Sequence, residues 1–134
     1  MGVGSTAREY HTRQTHYIRH DLAFDDNASG TSVKIGTVPA NAIVLGTTVS
    51  VQTVFNAATT NVLIVGTATD DDALVAAGGV DETAVAVTRV APATLGGLLS
   101  ASADTDIYVD YTQSGTAATT GAATIIVEYV PADD

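Results

Sequence analysis

Along most of this chain apolar and polar residues alternate with a period of two, the pattern of strands that keep one face in a core and one in water. From His16, Ile18, Leu22 and Phe24 share a face, and Asp25-Asp26-Asn27-Ala28-Ser29-Gly30 is a dense turn signal that ends the strand. Ser32 to Gly36 predicts a second strand. The long run Ala42 to Phe55 sets Val49, Val51 and Phe55 on one face and Thr48, Ser50 and Gln52 on the other, as in an antiparallel strand with one wet side. After Asn56 to Asn61, the apolar run Val62-Leu63-Ile64-Val65 is too short for a helix and predicts a strand buried on both faces.

Gly66-Thr67 closes that strand, and Asp70-Asp71-Asp72 makes an acidic corner. Ala73 to Ala77 fits either a short strand or one helical turn. Thr83 to Val90 alternates weakly through Val85 and Val87, and Pro92 to Leu99 reads as irregular or a brief turn of helix. Ile107, Val109 and Tyr111 alternate with Asp106, Tyr108 and Asp110, the clearest two-faced strand of the chain. Ala123 to Val130 turns Ile125, Val127 and Tyr129 inward before Pro131 stops the strand. Such short strands without an amphipathic helix predict an all-β fold: an antiparallel β-sandwich, a jelly roll of about eight strands over 16–134, preceded by an extended N-terminal arm over 1–15. Ala57-Ala58-Thr59-Thr60 and Ala117-Ala118-Thr119-Thr120 echo each other and would mark related hairpins on opposite halves of the fold.

Charge adds a second division. The chain of 134 residues carries a formal charge of −10, yet Arg8, Arg13 and Arg19 fall in the first twenty residues against the single acid Glu9. A basic arm therefore precedes an acidic body, and such arms order against oppositely charged partners. The acidic body argues against nucleic acid as a partner, because affinity for a phosphate backbone comes from clustered Lys and Arg. There is no cysteine, and no apolar run has the length of a membrane span or of a signal peptide, so a membrane is not expected and synthesis in a reducing cytoplasm is.

Candidate chemistry is sparse. His16 and His20 would share a helix face at a metal-binding spacing, but in a strand they stand about 13 Å apart, too far for one ion; His11 is the third histidine. Asp25-Asp26 and Asp70-Asp71-Asp72 would bind calcium only if loops brought them together, and neither matches an EF-hand loop. Solvated turn acids that blunt sheet edges are the simpler reading. Asp106 and Asp110 flank Tyr108 without the aromatic platform a sugar needs, since the chain has five Tyr, two Phe and no Trp. A carbohydrate-binding module would have to use Tyr108 and Tyr111, which point to opposite faces of one strand. No nucleophile elbow or phosphate loop occurs, so no catalytic, cofactor or metal residue is expected.

Three stretches, Ile35-Gly36-Thr37-Val38-Pro39-Ala40-Asn41-Ala42-Ile43-Val44, Val49-Ser50-Val51-Gln52-Thr53-Val54-Phe55-Asn56 and Leu63-Ile64-Val65-Gly66-Thr67-Ala68-Thr69-Asp70, precede a closing element, Gly115 to Tyr129. Together, over about Lys34 to Val130, they resemble small virion proteins of tailed bacteriophages, including capsid cement and decoration proteins. The resemblance implies a jelly-roll-like protein on the outer surface of the head that bridges neighbouring major capsid protein subunits, with a head-completion or tail component as the alternative. With no catalytic motif in the chain a non-enzymatic role is expected, and closed symmetry makes a dimer or trimer at a symmetry axis the expected self-association. The Arg and Tyr content of the first nineteen residues suits an interface anchor, and Arg8, Tyr10, Arg13, Tyr17 and Arg19 are the expected capsid contacts.

Overall fold

The computed structural model describes residues 14–26, 32–92 and 102–132. Within them the alternating segments form seven strands: β1 (His16–Ala23), β2 (Val33–Val38), β3 (Ile43–Thr53), β4 (Thr60–Gly66), β5 (Ala86–Val90), β6 (Thr105–Ser114) and β7 (Ala122–Val130). They make two antiparallel sheets, ordered β1-β7-β3-β5 and β2-β6-β4. Their inward residues meet in one core that includes Leu22, Val49, Phe55, Leu63, Ile107 and Ile125. Phe55 is 1% exposed and packs on the Tyr111 ring at 4.6 Å. Burying a side chain of that size is worth about 1.5–3 kcal/mol.

The order is that of a jelly roll, a long antiparallel ribbon wrapped on itself. β1 pairs with β7, β2 with β6 and β3 with β5, and the wrapping sets β7 against β3 and β6 against β4. Of the about eight strands expected, the one between β4 and β5 shrinks to a single bridge, Val65 to Val75. Ala73 to Ala77 is thus neither a full strand nor a helical turn. Leu74, Val75 and Val80 still plug the core there. The segment is fastened by Glu82, 6% exposed, whose carboxylate accepts the Leu63 N–H at 2.7 Å and whose carbonyl accepts the Phe55 N–H at 2.9 Å.

Three details depart from the pattern read in the sequence. Leu63 and Val65 are buried, but Val62 and Ile64 lie half-covered on the outer face of β4, so that strand is not buried on both sides. Val85 and Val87 are 68 and 69% exposed, while Thr88 and Val90 turn inward. The two Ala-Ala-Thr-Thr segments are neighbours rather than opposites: the Ala58 N–H donates to the Thr116 carbonyl, and Asn56 Oδ1 accepts the N–H groups of Thr119 and Thr120.

Backbone geometry explains the turn residues. Pro39-Ala40-Asn41 forms the turn into β3, with the Ala42 N–H on the Pro39 carbonyl and Asn41 in the left-handed region at φ 63°. Asparagine tolerates that conformation better than other residues with a side chain. Gly121 has φ 151°, and a Cβ there would lie 2.3 Å from Phe55 Cδ2. Glycine lets the start of β7 lie against the Phe55 ring.

Candidate interaction surfaces

The two outer faces of the sandwich differ in chemistry. On the four-stranded sheet, strand register aligns Arg19, Ile126, Thr48 and Arg89 in one row and Asp21, Thr124, Ser50 and Val87 in the next. Hydrogen bonds run across the second row, from Gln52 Nε2 to Thr124 Oγ1 and from that hydroxyl to Asp21. The Thr124 bond, helped by Arg19 at 3.5 Å, holds the Asp21 carboxyl below the usual aspartate range. Arg89 reaches over β3 to pair with Glu128 on β7. It can do so because Gly46 lies beneath the guanidinium, whose Nη2 is 3.0 Å from where a Cβ would stand. Tyr17 is 65% exposed here, and Ile43 and Leu45 add exposed apolar surface at the sheet's end.

Acids dominate the opposite face. Asp106, Tyr108 and Asp110 alternate outward along β6, and the connection after β4 brings Asp70, Asp71 and Asp72 alongside. A hydrogen bond from Thr37 and the nearby Lys34 ammonium, 3.1 Å away, lower the Asp106 pKa. Burial raises that of Asp110, and Asp71 adds to the effect. Thr67, Thr69, Asp104, Asp106 and Tyr108 line an open cleft of about 300 Å³. Gly66 is required just before the turn that supplies Thr67 and Thr69, where a Cβ would fall 2.3 Å from the Asp70 carbonyl.

Of the expected capsid contacts, Tyr17 and Arg19 lie within β1, side by side with Asp21 on the four-stranded face, and are strand residues rather than arm residues. Arg8, Tyr10 and Arg13 lie outside the described residues, as does His11. His16 stacks on Tyr129 at 5.7 Å, and His20 turns toward the core, so the pair shares no ion. Asp25-Asp26 follows the end of β1 that pairs with Ala122, whereas Asp70-Asp71-Asp72 follows Gly66, at the other end of the sandwich. The carboxylates of the latter three lie within 4.8 Å of one another and are all exposed.

Asp106 and Asp110 do flank Tyr108, but four strand positions separate them by about 13 Å, beyond the spacing of paired catalytic carboxylates. Tyr111 is 2% exposed and its hydroxyl donates to Asn61 Oδ1, which leaves Tyr108 without it as a sugar platform. Alternation along the chain does not single out Arg89 or the outward valines of β5. A lone glycine inside the predicted long strand, Gly46, is the available sign that another group lies close against it.

Comparison with known proteins places this architecture beside two capsid chains. One, from the capsid asymmetric unit of cyanophage Pam1, has 21% sequence identity and a TM-score of 0.63, over 89% of this chain and 86% of that one. The other, from the capsid of Ralstonia phage GP4, has 21% identity and a TM-score of 0.66, over 90% of this chain and 86% of that one. At this identity the likeness is one of fold. No family model matches the sequence, and no curated protein matches it.

Proposed function

We propose that this chain is a structural protein of a bacteriophage virion, which binds the outside of the assembled capsid and ties neighbouring major capsid protein subunits together. The observation that carries this reading is the shared fold with chains of two phage capsids over about nine-tenths of its length. The two-faced surface supports it. The four-stranded face, with Tyr17, Arg19 and exposed aliphatic side chains, suits contact with a protein surface, and the acidic β6 face suits exposure to solvent. In this reading Arg8, Tyr10 and Arg13 extend the contact begun by Tyr17 and Arg19. The work done is thermodynamic: a partner that binds only the assembled shell stabilises it by mass action.

The test is co-sedimentation of purified protein with phage heads that lack it, before and after expansion. Saturable, stoichiometric pelleting with expanded heads is expected. Failure to pellet with either form would overturn capsid binding and move the search to head-completion and tail assemblies.

A further inference from the structure

A β-sandwich has four sheet edges, and three of them here are guarded in recognisable ways. β1 carries Arg19 and Asp21, β2 carries Lys34 and a bulge between Lys34 and Gly36, and β4 is met by the Val75 bridge. Charges, bulges and covering segments are the usual devices that stop a sheet edge from pairing with another chain. Among the described residues, β5 has neither a bulge nor a covering segment. No described residue pairs along its outer side, its Val87 and the adjoining Val85 are among the most exposed large apolar residues, and its one charge, Arg89, is drawn back over β3 to Glu128.

We propose that the β5 edge is a self-association surface on which a second copy of this chain pairs, strand to strand and antiparallel, about a two-fold axis through Val87. That register sets Val87 opposite Val87 of the second copy, and Val85 opposite Arg89 of the second copy. The two Val85 side chains lie diagonal to the central pair, and each Arg89 stays drawn back on Glu128, out of the way of the paired edges. The patch is therefore self-complementary, as a two-fold interface requires. Charge selects the same place. Two copies at −10 each repel, but β5 and the β3 residues paired with it, Thr47 to Val51, carry no carboxylate. The result is one continuous sheet with the order β1-β7-β3-β5 running into its mirror sequence in the second copy.

The reading is independent of capsid binding, because the test uses the purified protein alone. The chain has no cysteine, so single cysteines report without background. Val87→Cys places two thiols directly opposite at the axis, within the Cα separation a disulfide accepts. Val85→Cys is offset from its own copy by four residues, about 13 Å along the strand, and serves as the register control. Under mild oxidation Val87→Cys is expected to form a disulfide-linked dimer and Val85→Cys to form no intermolecular disulfide. In sedimentation equilibrium the unmodified chain is expected to rise from 13.6 kDa toward twice that mass with concentration, and Val87→Lys to shift that rise to at least tenfold higher concentration. Both substituted positions are exposed, so folding, checked by circular dichroism, is expected to be unchanged. Equal cross-linking of the two cysteine variants, a mass that stays monomeric at every concentration, or a trimeric end-point would overturn the proposal.

Discussion

Replacing Glu82 tests what holds the jelly roll together where its eighth strand is missing. In Glu82→Ala the Leu63 N–H loses its acceptor inside the sandwich. A buried donor left unsatisfied costs about 1–3 kcal/mol, and the one buried methylene lost with the side chain adds about 1 kcal/mol. The sum, about 2–4 kcal/mol, lowers the melting temperature by roughly 6–16 °C for a domain of this size. Glu82→Gln keeps an oxygen for the same N–H and removes the charge. Because burial raises the Glu82 pKa, the folded state holds that proton more tightly than the unfolded chain does. Its contribution is therefore fully present below the ordinary glutamate pKa and declines as pH rises through the raised value. Glu82→Gln should lack that decline, staying within about 1 kcal/mol of the parent at neutral pH, and should gain on it as pH rises through this window. Urea unfolding followed by circular dichroism at several pH values measures both effects. A Gln variant as unstable as the Ala variant at neutral pH would refute the argument, since the charge rather than the acceptor would then be what holds the segment.

Gly121→Ala forces a Cβ into the Phe55 ring and should cost about 2–4 kcal/mol, read as a drop in melting temperature; a loss under about 1 kcal/mol would mean the ring does not seat on this glycine. Thr37→Val should raise the Asp106 midpoint toward the ordinary aspartate value in a carboxyl NMR titration, because the Thr37 bond is the largest single cause, and Lys34→Gln, which removes both a hydrogen bond and a positive charge, should raise it as well. The lowered pKa values of Asp21 and Asp106, and of Asp81, whose carboxylate accepts both the hydroxyl and the N–H of Thr83, contribute stability above the ordinary aspartate range, which is lost as pH falls through their folded values. Acid unfolding of the Thr37→Val variant should therefore begin at higher pH than that of the parent.

The strands with one wet face were legible because burial alone sets their pattern. Val49, Val51, Ile107, Val109, Ile125 and Val127 are all buried as their alternation predicts. Val85 and Val87 misled because an edge strand is free to turn its valines outward, and period two does not say which phase faces the core. Val62 and Ile64 misled in the same way: the outer side of β4 is only half covered, and apolar residues are tolerated there. Glu82 gave no sign in the sequence, since its partner Leu63 lies 19 residues earlier and is brought near only by the wrapped ribbon. Arg89 needed the register of three strands before its reach to Glu128 was visible. Of the five expected contact residues, Tyr17 and Arg19 share an exposed face, and the other three lie outside the described residues.

The pairing of β1 with β7 also decides how the molecule answers a pull. His16 opposes Tyr129 and Ala23 opposes Ala122, so the start of β1 and the end of β7 lie side by side. Tension applied across those two ends opens the ladder one rung at a time, like a zipper, whereas tension along both strands in opposite senses would load all the rungs together. The stacked rings of His16 and Tyr129 lie on the rung at the mouth of the zipper, so parting them belongs to the opening of the ladder.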